Sequence, residues 1–260
     1  MDLNELFSVQ GKTAIVTGGS RGIGYMIATG LLSAGARVYI TARKAAACDA
    51  AAEELSELGE CVSLPADLST SEGMSSFVAA FNQTEDKLHI LCNNAGANWV
   101  APLGDVPEEG FDKVIDINLK SPFFLTQALL PNLKAAATPQ DPARVIMTGS
   151  INGIAVPWVD NFSYSASKAG LHMIARHMGQ RLAKDHITVN SIAPGPFESK
   201  MMAAALEGDG KAMVEGMIPL GRIGSPEDMA GTVLWLCSRA GAYITGTVIP
   251  IDGGVTGFAS

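Results

Sequence analysis

The chain has 260 residues, 47% of them apolar, with a formal net charge of −8. That length suits one large domain or two small ones, and the acidic balance argues against non-specific nucleic-acid binding, which needs a basic face. No apolar run reaches the roughly 18–20 residues that span a bilayer, and the N-terminal MDLNELFSVQ lacks the basic-then-apolar order of a secretory signal.

Short β-branched runs then alternate with longer helical stretches. TAIVT (13–17) precedes GIGYMIATGLLSAGA, whose Gly35 suits a helix C-terminus. RVYIT (37–41) precedes an alanine-rich segment, and VSLPA precedes SEGMSSFVAAFNQ. LHILCNN (88–94) precedes a long segment from Phe111 to Ala137. RVIMTGS (144–150) precedes SASKAGLHMIARHMGQRLAKD, ITVNSIAP (187–194) precedes a methionine-rich region and PEDMAGTVLWLCS, and TGTVIPID closes the pattern. Such alternation predicts βαβ units and a parallel sheet. The strands are apolar on both faces, as expected when helices cover both sides. No linker and no internal repeat interrupts the pattern, so the expectation is one doubly wound α/β domain over residues 1–260.

TGGSRGIG (17–24) follows the first strand and opens the first helix. In that context Gly18 permits a tight turn, Gly22 lets a pyrophosphate approach the backbone, and Gly24 lets the helix pack closely on the sheet. Helix N–H groups then face the anion. The second strand ends YITARK, with Arg43 and Lys44 where an NAD-selective site usually carries a carboxylate. Arg21 lies across the same expected pocket. Two guanidinium groups suit a 2′-phosphate, which predicts NADP(H). Asp67, in PADLS, is placed to accept from the adenine amino group.

Tyr164 and Lys168 stand four apart, sharing one helix face. A phenol of pKa about 10 is too weak an acid for neutral pH, and a nearby ammonium is expected to lower it. Ser150, at the end of RVIMTGS, lies at the mouth of the sheet, where its hydroxyl can bond a carbonyl oxygen. Ser163, Ser165 and Ser167 are expected to point elsewhere, and His172, His177 and His186 are read as helix surface or subunit interface.

The chain resembles the short-chain dehydrogenase/reductase family. The resemblance is carried by TGGSRGIG, Asp67, NNAG (93–96), Asn118 in DINLKSPF, Ser150, Tyr164-x-x-x-Lys168, PGPFES (194–199) and IDGG (251–254). Within it, GGSRGIG, NNAG followed by Trp99, and GAYITGTVIPIDGG look similar to 3-oxoacyl-ACP reductases of the rhamnolipid-biosynthesis type. The resemblance implies a Rossmann fold with seven strands and the following roles. Tyr164 protonates the carbonyl oxygen, Lys168 lowers its pKa and binds the nicotinamide ribose, Ser150 positions the substrate, and Asn118 holds a relay water. The cofactor is lined by Gly18, Ser20, Arg21, Gly22, Ile23, Gly24, Arg43, Asp67, Leu68, Asn94, Ala95 and Gly96, and at its nicotinamide end by Pro194, Gly195, Phe197 and Ser199. Ser199 stands where the family commonly has Thr, and the Ser150-to-Tyr164 interval is one residue longer than in many members, which touches the substrate loop.

The segments 97–103, 151–162 and 198–217 are expected to line an apolar substrate pocket, with Trp99, Ile151, Trp158 and Met201 as contacts. A mobile lid around 198–218 would hinge at Gly208, Gly210 and Gly216. These segments hold few arginines to clamp a carboxylate, which favours an acyl chain or another apolar ketone. Arg176, Arg181, Lys184 and Lys134 offer a surface for an acyl-carrier protein. An alcohol, polyol or steroid dehydrogenase remains an alternative, and a cofactor-binding regulator without turnover is another. Cys48, Cys61, Cys92 and Cys237 form no C-x-x-C pair and no metal-ligand spacing, so free thiols in a reducing cytoplasm and no metal are expected. The family resemblance further implies a homotetramer.

Overall fold

The computed structural model describes residues 1–199 and 202–257. Seven parallel strands form one sheet in the order β3-β2-β1-β4-β5-β6-β7. They are β1 (Thr13–Thr17), β2 (Arg37–Thr41), β3 (Cys61–Ser63), β4 (Ile90–Asn93), β5 (Ala143–Thr148), β6 (Ile187–Pro194) and β7 (Val248–Ile251). β1, β5 and β6 are buried at every position, as the unbroken apolar runs require. Alternation still divides them between two cores. Ala14 and Val16 join one apolar layer and Ile15 the other, and Ile90 and Cys92 oppose Leu91 in the same way.

The first layer is closed by α2 (Gly22–Ser33), α3 (Ala45–Leu55) and α10 (Pro226–Cys237), with short helices α1 (Leu3–Phe7) ahead of β1 and α9 (Gly210–Gly216) ahead of α10. Helices α2 and α10 cross so closely that a Cβ on Gly30 would lie 2.6 Å from that of Ala230. Helix α2 ends in a Schellman turn. Gly35 has φ +87°, its N–H donates to Leu32 O, and that of Ala36 donates to Leu31 O. Helix α10 starts in a reciprocal capping box between Ser225 and Asp228. The second layer is covered by α4 (Ser71–Asn82) and the long α8 (Phe162–Leu182), which buries Leu171 and Ala175.

The long segment from Phe111 to Ala137 is built of several helical pieces. It comprises α5 (Glu108–Ile115), a π-helical turn (Asp116–Lys120), α6 (Ser121–Ala128) and α7 (Leu130–Ala136). Pro122 and Pro131 open the last two, because a proline lacks the N–H that a continuing helix needs. Strand order reverses between β1 and β4, so a crevice opens beyond their C-terminal ends.

Candidate active site

That crevice is built first by backbone. Gly18 turns the chain out of β1 at φ +67°, and a Cβ there would meet Ala95 Cα at 3.0 Å. A Cβ on Gly24 would lie 2.3 Å from Gly18 O, so α2 packs directly on the turn that precedes it. Gly22 starts the helix at φ +55°, and Arg21 at the N-cap gives no side-chain acceptor to the first N–H groups. Those donors suit an anion. Opposite them, Thr17 Oγ1 accepts from Asn94 N and Ala95 N, both at 2.8 Å, and Asn94 Nδ2 donates to Thr17 O at 2.9 Å. Thr17, which sequence reasoning passed over, therefore pins the NNAG segment to the glycine turn. Ser199 closes the other side, its Cβ 3.4 Å from where a Gly22 Cβ would be.

Arg21 and Arg43 are both exposed, and neither has an ion-pair partner among the described residues. Asp67 accepts from Ser69 N at 3.0 Å and Ser69 Oγ at 2.6 Å. The Ser69 bonds, with help from Arg43, hold its carboxyl below the ordinary value. Ser20 and Ile23 are half-buried at the glycine turn. Leu68 and Phe197 are core residues, 3% and 2% exposed, so only their main chains can face a cofactor. Gly195 is tied into the sheet by its N–H to Ile251 O.

Beyond the end of β5 stand the reactive side chains. Lys168 is 4% exposed and donates from Nζ to Thr148 O at 2.7 Å. Its Nζ lies 5.5 Å from the centre of the Tyr164 ring. Burial brings the ammonium down to about 8. Asn118 sits in the π-helical turn, fully buried. Its Oδ1 accepts from Ala97 N at 2.8 Å, and its Nδ2 donates to Ala97 O at 2.9 Å and Ser167 Oγ at 3.0 Å. Ser167 Oγ in turn donates to Tyr164 O at 2.7 Å. The amide thus joins the NNAG segment to the tyrosine helix, and it has no spare donor.

A family model described as enoyl-(acyl carrier protein) reductase matches residues 18–256. The chain is 46% identical to the rhamnolipids biosynthesis 3-oxoacyl-[acyl-carrier-protein] reductase of Pseudomonas aeruginosa, over 97% of this chain and 99% of that protein. It is 32% identical to the short-chain dehydrogenase/reductase PhomF of Diaporthe leptostromiformis, over 96% of this chain and 93% of that one. The chain belongs to the short-chain dehydrogenase/reductase family. A solved structure titled as the Pseudomonas aeruginosa RhlG/NADP active-site complex superposes with a TM-score of 0.94 at 46% identity, covering 97% of this chain and 99% of that one.

Two expectations for this short-chain dehydrogenase/reductase need correction. The four-residue spacing predicts a Tyr164 acidified by Lys168. Instead desolvation pushes its hydroxyl above the ordinary phenol value, with the Ser150 hydroxyl pulling the other way. Burial of the phenol disfavours its charged form and outweighs the ammonium, whose bond goes to Thr148 O rather than to the tyrosine hydroxyl. His172 is not a surface or interface residue: it is 5% exposed and lies against Ser150. Helical position alone could not show this, because the covering partner is β6, distant in sequence. His177 and His186 are exposed, as expected.

The substrate-side loops meet through Ala101 N, which donates to Asp160 O at 3.0 Å. Trp99 is half-buried, its ring filling the space left by Gly110 on α5 and lying 5.6 Å from Lys113 Nζ. Ile151 is half-buried in a 3-10 turn, and Trp158 is 81% exposed. Asn98 and Asn161, on the same loops, each keep a buried amide oxygen without a partner. Met201 lies outside the described residues. No cluster of metal-ligating side chains occurs among the described residues.

Proposed function

We propose that this chain is an NADPH-dependent reductase of carbonyl compounds, acting on 3-oxoacyl thioesters. The observation that carries the reading is Ser150, Tyr164 and Lys168 gathered at the end of β5, beside a glycine-built anion cradle. The residues fit the cofactor: free helix N–H groups for the pyrophosphate, and Arg21 and Arg43 for the 2′-phosphate. When bound, NADPH supplies a hydride to the carbonyl carbon. Ser150 donates a hydrogen bond to the carbonyl oxygen and fixes its position. Tyr164 gives its hydroxyl proton to the oxygen as negative charge develops there. Its raised pKa suits this direction, since the phenol is fully protonated at neutral pH. The Lys168 ammonium stabilises the phenolate left behind. Asn118 positions the residues around them, and any water it holds must donate to it, because both Nδ2 protons are already bonded.

The proposed substrate is an acyl ketone rather than a sugar acid. Val100, Ile154 and Val156 expose apolar surface beside the site, with Trp99, Ile151 and Trp158 as contacts. The lid expected around 198–218 rests, among the described residues, on helix Gly210–Gly216, which buries none of its side chains. For a carrier protein, Arg176, Arg181 and Lys184 remain exposed, whereas Lys134 is already paired with Asp185 at 3.1 Å. The same reading takes the enzyme to be a cytoplasmic homotetramer. Its four cysteines are unpaired, in keeping with a reducing compartment, and the tetramer rests on the family resemblance alone.

The test is turnover of acetoacetyl-CoA with NADPH, against NADH and against an enoyl thioester as controls. Ketone-dependent NADPH oxidation, abolished in Tyr164→Phe while NADPH still binds, is expected. Tight NADPH binding with no ketone reduced would favour the non-catalytic reading.

A further inference from the structure

Behind Ser150 lies a polar group that the reaction scheme leaves unused. His172 follows Lys168 by one turn on α8. Its Nε2 is 3.0 Å from Ser150 O, and its Nδ1 is 2.8 Å from Ser191 Oγ on β6. A carbonyl oxygen can only accept, so Nε2 must carry a proton. Burial lowers the basicity of the ring, which is therefore neutral, and Nδ1 carries none. The Ser191 hydroxyl then donates to Nδ1. Met147 O, 3.0 Å from Ser191 Oγ, is the competing acceptor, and the Gly149 N–H donates to it at 3.0 Å. One tautomer satisfies every group.

The loop that carries Ser150 is shaped around this ring. A Cβ on Gly149 would lie 2.0 Å from His172 Cε1, and one on Gly153 would lie 2.8 Å from its Cδ2. The imidazole alone fills the side-chain space of Gly149, whereas that of Gly153 is taken by the imidazole together with the α8 main chain at Lys168 and Ala169, both at 2.7 Å. Ser150 is also held from the front, where its Oγ accepts from Asn152 N at 3.1 Å. Its main-chain oxygen, which also accepts from Gly153 N at 3.0 Å, and one hydroxyl lone pair are engaged, so its O–H is left to face Tyr164 in the crevice.

We propose that His172 is a positioning residue for the reduction. It acts through Ser150, by anchoring the Ser150 main chain, and Ser191 fixes the tautomer that lets it do so. The proposal rests on the carbonyl-reductase reading for its kinetic consequence, but its geometric content does not.

The experiment is a double-mutant cycle with His172→Ala, Ser150→Ala and the pair, together with His172→Gln, whose Nε2–H can reach the same carbonyl. Two quantities are read. One is kcat for acetoacetyl-CoA, with NADPH affinity measured alongside. The other is the ionisation midpoint of Tyr164 without ligands, taken by ultraviolet difference titration against Tyr164→Phe. His172→Ala should lower kcat at least about tenfold, as a misplaced reacting group does, and leave NADPH affinity within about twofold. His172→Gln should recover most of the loss, and the double variant should fall no further than Ser150→Ala. The Tyr164 midpoint should rise in His172→Ala toward its value in Ser150→Ala, because the first displaces and the second removes the hydroxyl that favours the phenolate.

Additive losses in the double variant would overturn the proposal. So would a folded His172→Ala with unchanged kcat and unchanged midpoint. If the wild type reduces no ketone, the functional reading fails, but the Tyr164 midpoint still decides this point. If His172→Ala does not fold, Ser191→Ala takes its place: kcat and midpoint both equal to wild type would sink the idea, and a shift in both would sustain it.

Discussion

Lys168 donates from Nζ to the main-chain oxygen of Thr148 at 2.7 Å, in a setting where the ammonium is almost wholly withdrawn from water. The charge therefore works against folding. Its displacement from 10.5 to about 8 corresponds to roughly 3 kcal/mol against the charged form. Lys168→Met should abolish reduction yet raise the melting temperature at pH 7, by about 2–5 °C once the lost bond to Thr148 is counted. The sign with pH is fixed. Between about 8 and 10.5 the unfolded chain binds the proton that the folded chain has released, so wild-type stability from this group rises with pH. The advantage of Lys168→Met should shrink from pH 7 to pH 10, as calorimetry at the two values would show. A variant less stable than wild type at pH 7 would contradict the argument.

The same group sets an expectation for turnover. If the ammonium stabilises the phenolate of Tyr164, its loss of charge removes that help. The rate of ketone reduction at saturating NADPH should fall as pH rises through about 8, well before an ordinary phenol ionises. Tyr164 itself should contribute no fall below pH 10, since burial raises its pKa. A rate that stays flat to pH 9.5 would remove Lys168 from the electrostatic role.

Cofactor choice should follow Arg43 and Arg21. Each charge-assisted bond to a phosphate is worth about 1.5–3 kcal/mol. Arg43→Ala should weaken NADPH roughly tenfold or more and leave NADH nearly unchanged, measured by cofactor fluorescence. Arg43→Asp should move preference toward NADH, because a carboxylate there can hold a ribose 2′-hydroxyl. Equal loss for both cofactors would mean that Arg43 acts on the fold instead.

Much of this was legible because it is local. The order of strands and helices follows from apolar runs and punctuation, and Gly35 marks the end of α2 as it stands. The glycine turn and the Tyr164–Lys168 spacing are likewise carried by neighbours in sequence. What was not legible depends on distant partners. The π-helical turn at Asp116–Lys120 has no pattern of its own, and it places Asn118 against Ala97 and Ser167 from two other elements. The direction of the Tyr164 shift needed the depth of burial and the competing acceptor of Lys168, which spacing cannot supply. His172 was misplaced for the same reason, its partner being Ser191 on β6.

Two glycines give a final contrast. A Cβ on Gly24 would lie 2.3 Å from Gly18 O and 2.4 Å from Asn94 Nδ2, so α2 would have to move off the turn that it packs against. Gly24→Ala should cost about 1–3 kcal/mol, as overpacking at a rigid contact does, and should abolish NADPH binding, because the displaced N–H groups no longer converge. Gly231, on the exposed side of α10, has no atom within 4 Å of its would-be Cβ. Gly231→Ala should stabilise the protein by about 0.5–1 kcal/mol, since alanine loses less backbone freedom in a helix. Denaturant unfolding of both variants, with NADPH titration of each, checks the pair. If Gly24→Ala folded and bound NADPH like the wild type, the close approach of helix and turn would not be what shapes the cofactor crevice.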